Sequence, residues 1–170
     1  MKTPQQQVLA RIRVCMAIII GGLFISGATA FPLETEIGWL TTNMQALPLT
    51  IQNWLSNIYS ALRDTNKQYP YLAYGTDWLA FAHLVLAVLF IGPYRHPVKN
   101  VWIIQFGMIA SVAIFPLAFI AGGIRGIPIF WQFIDCSFGI ICMIPLYVAH
   151  KNINKLRGWY AKEGVTVPDI

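Results

Sequence analysis

The stretch Arg125-Gly-Ile-Pro-Ile-Phe-Trp-Gln-Phe-Ile-Asp135-Cys-Ser-Phe-Gly-Ile-Ile-Cys142 reads as the opening of a membrane span. It carries a carboxylate two turns in and an arginine at its mouth. A charge in hydrocarbon costs at least about 2.5 kcal/mol even on lenient insertion scales. Asp135 is therefore expected to face other helices, to find a partner or to be protonated. The other polar residues can be sorted by whether they could reach it.

Composition agrees with a membrane chain. Of the 170 residues, 56% are hydrophobic and 11% charged, against about 25% charged in soluble domains. The net charge of +5 does not point to nucleic acid, because the basic residues flank apolar runs instead of forming an aromatic-interleaved patch. Cys15, Cys136 and Cys142 lie in apolar segments with no C-x-x-C pair. That argues against a redox dithiol or a thiolate metal site.

Working outward gives an all-α integral membrane four-helix bundle, with spans near 14–31, 77–91, 101–121 and 128–149 and a tail at 150–170. Val14 to Phe31 fits a first span. It also fits a signal peptide cleaved after Ala28-Thr29-Ala30. Gly22, Ser26 and Ala30 are spaced as a small-residue contact face on a retained helix. Residues 32–75 are the longest polar stretch. Within them Thr50 is placed to cap a helix running to about Thr65. Ile51, Trp54, Leu55, Ile58, Tyr59 and Leu62 fall on one face of it, so it reads as an extracytoplasmic amphipathic segment between spans 1 and 2. Thr76 is expected to cap the second span, with Asp77 in its first turn. Gly92-Pro93 stops that span. In the third, Gly107, Ser111, Ala118 and Gly122 form a small-residue face, and Pro116 leaves the carbonyl of Val112 without its usual donor. Pro128 opens the last span. The tail reads as a short basic surface helix ending in a loose terminus.

Lysine and arginine set the orientation. Lys2, Arg11, Arg13, Arg95, Lys99, Lys151, Lys155, Arg157 and Lys162 fall on one side of the four spans. Arg63, Lys67 and Arg125 fall on the other. The richer side is cytoplasmic, which puts both termini inside and residues 32–75 outside.

His83 and Asp135 each lie about seven residues into a span entered from outside, hence about 10 Å deep. At matching depth, Asp135 could accept a hydrogen bond from His83 and fix its tautomer. Arg125 could clamp an anion or pair with Asp77, Glu34, Glu36 or Asp135. These residues, with Gln132, are the candidate ligand-binding set, and His83 and Asp135 are the candidate catalytic groups. Buried hydrogen bonds that staple the bundle account for the same residues equally well. No cofactor is predicted. Haem needs two axial ligands at one level, and His96 and His150 are cytoplasmic where His83 is outer. Zinc needs a tighter ligand cluster. Ser137 lacks an activating neighbour on its face.

Tyr74-Gly-Thr-Asp-Trp-Leu-Ala-Phe-Ala-His83, Arg125-Gly-Ile-Pro and Ile134-Asp-Cys-Ser-Phe-Gly139 resemble segments of small uncharacterised bacterial inner-membrane proteins. The resemblance implies several spans and a bacterial inner membrane, and it brings no activity. Two functions follow from the residues. One is a binding protein or accessory subunit with an outward-facing pocket for a lipid, quinone or small anion. The other is a membrane-embedded enzyme or proton-coupled carrier using His83, Asp135 and Arg125. Membrane lipids are the expected partners, with a homo-oligomer or a larger membrane complex as the assembly.

Overall fold

The computed structural model describes residues 3–44 and 46–163. It is all-α, and the helices in order are α1 (Pro4–Ala30), α2 (Leu33–Asn43), α3 (Leu49–Gln68), a 3-10 turn at Pro70–Leu72, α4 (Ala73–Leu89), α5 (Ile91–Arg95), α6 (Val101–Ile124) and α7 (Ile129–Glu163). Among the described residues, four helical stretches are long and apolar enough to cross a membrane: Pro4–Ala30, Pro70–Arg95, Val101–Ile124 and Ile129–Lys162. The expectations for Lys2 and for the terminus beyond 163 lie outside the described residues. The chain forms two compact units, residues 1–21 with 87–170 and residues 22–86.

In the first unit α6 and α7 pack antiparallel through small residues. A Cβ added at Gly139 would lie 2.6 Å from the Ser111 carbonyl oxygen. One at Gly107 would meet Phe90 and Leu146, and one at Gly122 would meet the Gln132 side chain. Gly107, Ser111, Ala118 and Gly122 are all buried, as the spacing in α6 predicts. The link between the two helices is a Schellman turn. Gly126 has φ +67°, and the amides of Ile127 and Gly126 donate to the carbonyls of Gly122 and Gly123 at 2.9 and 3.3 Å. Only glycine takes that backbone without strain.

α7 does not stop at the predicted end of the last span. Its 35 residues make a rod about 52 Å long, against a hydrocarbon core about 30 Å thick. Leu146, Ala149, Ile153 and Leu156 are buried and follow one helical stripe, so the tail is a covered extension of the span and not a separate surface helix. At the other end of the chain, Val8, Ile12, Cys15, Met16 and Ile19 of α1 are also buried. The short α5 exists because Pro93 has no N–H for the carbonyl of Leu89, where α4 ends.

In the second unit α2 and α3 form a helical hairpin. Sequence reading gave no helix at α2, although Leu33, Ile37 and Leu40 carry its spacing. Gly38 lies against the Tyr59 ring, and the guanidinium of Arg63 sits 5.9 Å from that ring's centroid. α3 is amphipathic as expected, with Leu55 buried. Its cap differs from the expectation: the helix begins at Leu49 after Pro48, with no side-chain cap bond. The small-residue face proposed for α1 also moves. A Cβ at Gly22 would meet nothing within 4 Å, whereas one at Gly27 would lie 2.8 Å from the Ala80 carbonyl oxygen. Gly27, not the Gly22–Ser26 pair, lets α1 approach α4.

Candidate functional site

The second unit holds a cleft of about 320 Å3 where the end of α1, the start of α2, the end of α3 and the start of α4 converge. Its polar lining is Glu34, Thr35, Thr65, Asn66, Thr76 and Asp77, and Phe31, Leu62 and Leu72 contribute apolar wall. The volume lies at the lower end of small-molecule sites.

Local structure explains each position. Pro32 breaks the chain after α1, and Glu34 follows in the first turn of α2, where a carboxylate meets unbonded amides. Asn66 near the end of α3 donates from Nδ2 to Glu34 Oε2 at 2.7 Å. That bond ties the two ends of the hairpin and orients the Glu34 carboxylate. α4 starts at Ala73 rather than at Asp77, because the turn at Pro70–Leu72 feeds directly into it. Thr76 is therefore not the cap expected from sequence; its hydroxyl donates to the Ala73 carbonyl at 2.6 Å. Asp77 then falls beyond the first turn and faces the cleft.

The chemistry of this lining is acidic. Two carboxylates share one cleft with three threonine hydroxyls, and none of its lining residues is Lys, Arg or His. Opposite charge and hydroxyl acceptors suit an ammonium group or a hydroxyl-bearing ligand. Sequence reading named Asp77 as a binding residue and Glu34 as an acidic neighbour of the outer mouth. It gave no role to Asn66, Thr35 or Thr65. No spacing rule links them, since they come from separate helices.

The other predicted residues distribute as follows. His83 is in the second unit, half-exposed on α4, with Nδ1 2.9 Å from the Leu79 carbonyl oxygen. A carbonyl only accepts, so Nδ1 carries the proton and Nε2 is the acceptor in the neutral ring. His83 flanks the stripe of Ala80 and Ala87, both buried. Asp135 is in the first unit, half-buried at the edge of the α7 stripe formed by Gln132, Cys136, Gly139 and Leu146. Gln132 is 5% exposed, and its Nε2 donates to the Ile127 carbonyl at 2.8 Å, bracing the Schellman turn. Arg125 is exposed and is the C-cap residue of α6. A cation there complements the negative helix end, which gives a local reason for a basic residue at that mouth.

An apolar groove of about 350 Å3 also runs along α6 and α7 beside Ser111 and Gly139. Among the described residues no three His, Cys, Asp or Glu side chains come together as metal ligands would. No family model, curated protein or solved structure matches the chain.

Proposed function

We propose that this small integral membrane protein binds a small amine or hydroxyl-bearing ligand in the cleft between Glu34 and Asp77. The observation that carries this reading is the pairing of two carboxylates in one concave site without a basic lining residue. It replaces the anion suggested by Arg125 with a ligand of opposite charge. The setting is a bacterial inner membrane, with both termini cytoplasmic, the four spans gathered as a bundle, and the cleft open to the outer side. The lysine and arginine distribution supports that orientation. A binding or accessory role fits better than catalysis by His83, Asp135 and Arg125. None of these three residues lines the cleft, and Arg125 is accounted for as a helix cap.

The test is a thermal shift of the detergent-purified protein with putrescine, choline and glycerol as probes. Glu34→Gln and Asp77→Asn should keep the ligand-free midpoint within a few degrees and lose the shift given by the amines. An anionic probe that shifts the wild type while the amines do not would reject the site's proposed charge preference.

A further inference from the structure

The groove beside Ser111 and Gly139 is formed wholly by α6 and α7 of the first unit. Its walls are apolar, with Phe115, Ile140, Met143 and Ile144 on the lining. The Ser111 hydroxyl is spent on the Gly107 carbonyl at 2.9 Å, which leaves the phenol of Tyr147 as the free polar side-chain group of the lining. Ile140, Ile144 and Tyr147 are 55%, 62% and 56% exposed. On a membrane span that exposure is to lipid. The volume of about 350 Å3 lies within the range of small-molecule sites.

Beyond its apolar walls the groove leads to a polar pair. Gly139, Met143 and Tyr147 follow one another at i, i+4 and i+8 on α7, so they share a face. His150 continues that face three residues on, about 4.5 Å past Tyr147 along the axis. Gln105 reaches the same level from α6, which runs antiparallel, and its Nε2 lies 3.5 Å from Nε2 of His150. An amide nitrogen only donates, so His150 Nε2 accepts and Nδ1 of the neutral ring carries the proton. The contact is longer than the usual limit of about 3.2 Å, loose enough for a ligand to bridge or displace. The Gln105 side-chain carbonyl and the His150 Nδ1–H make no other hydrogen bond among the described residues.

We propose that this groove binds a lipid-soluble quinone, with the tail along Ile140 and Ile144 and the ring at Gln105 and His150. Position, charge and hydrogen bonding select the occupant. An apolar channel open to lipid admits a hydrocarbon tail from the bilayer. Neither Gln105 nor His150 carries a permanent charge, so the pair suits a neutral head better than the carboxylate or phosphate of other lipids, which call for Lys or Arg. Lys151 lies about 100° further round α7 than His150. The pair also offers both donors and acceptors. That matches a head that accepts through carbonyls when oxidised and donates through hydroxyls when reduced.

The test is a thermal shift of the detergent-purified full chain with decylubiquinone, with decanol and decanoate as controls for tail and charge. At about a hundredfold excess over the dissociation constant the wild type should gain about 5 °C or more. Decanol and decanoate should give little of that gain. Gln105 and Ile144 are exposed, so Gln105→Leu and Ile144→Trp should keep the ligand-free midpoint. The first removes a head contact and the second fills the groove, and each should lose most of the gain. Glu34→Gln should keep it, because the acidic cleft belongs to the other unit. A photoreactive azidoquinone needs no variant, and it should label peptides holding residues 105–115 or 139–150. No gain in the wild type, an equal gain from decanol or decanoate, an unchanged gain in either groove variant, or labelling confined to other peptides overturns the proposal.

Discussion

One methyl group is the finest probe of how α6 meets α7. At Gly139 the added carbon would lie 2.6 Å from a backbone oxygen of Ser111, and backbone cannot swing aside as a side chain can. Gly139→Ala should therefore cost about 1–3 kcal/mol, the usual range for overpacking, and lower the thermal midpoint in detergent. Gly21→Ala is the contrast, because an added Cβ there meets nothing within 4 Å. It should leave the midpoint unchanged or raise it, as alanine suits a helix interior better by roughly 0.5–1 kcal/mol. If both variants melt alike, the close crossing at Ser111 does not hold.

At the scale of whole helices, two elements carry distinct predictions. The extension of α7 is anchored by Ile153 and Leu156, at 0% and 2% exposure. Leu156→Ala should cost about 2–5 kcal/mol and open the region after Ala149 to limited proteolysis, while Lys151→Ala should not. α1 brings Gly27 onto Ala80, so removal of residues 1–30 would uncover that face of α4. Intact mass spectrometry of the membrane-extracted chain should find residues 1–30 attached, and a product starting at Phe31 would mean that Ala80 has another cover.

These elements also show what the sequence makes legible. The apolar runs, the amphipathic face of α3 and the small-residue stripe of α6 all follow from periodicity, which survives in a one-dimensional reading. The tail of α7 was harder to read, because Lys and Arg interrupt its apolar positions and the covered stripe of Ile153 and Leu156 is only two turns long. The start of α4 was masked by Pro70 and Gly75, residues that normally mark a break. The cleft could not be read at all as a unit. Glu34, Asn66 and Asp77 meet only through the turns after α1 and α3, and the geometry of those turns is not written in any spacing.

For the molecule as a whole, charge and orientation give a direct measurement. A single cysteine at Ser56 on α3, in a background with Cys15, Cys136 and Cys142 replaced by alanine, should react with a membrane-impermeant maleimide in intact spheroplasts. One at Lys155 should react only after permeabilisation. The reverse pattern would invert the chain and place the acidic cleft inside.

The four residues 125–128 that join α6 to α7 bear on how the chain is made. Partners so near each other in the chain can find each other early, since closing a short loop loses little entropy. Each rod alone would present something ill suited to oil: Pro116 and Ser111 on one, Gln132 and Asp135 on the other. Entering the bilayer together, they would already shelter the Gln132 amide against Gly122 and the Ser111 carbonyl against Gly139. Lengthening that joint with a flexible insert should therefore slow insertion or make it leaky long before it harms the finished protein.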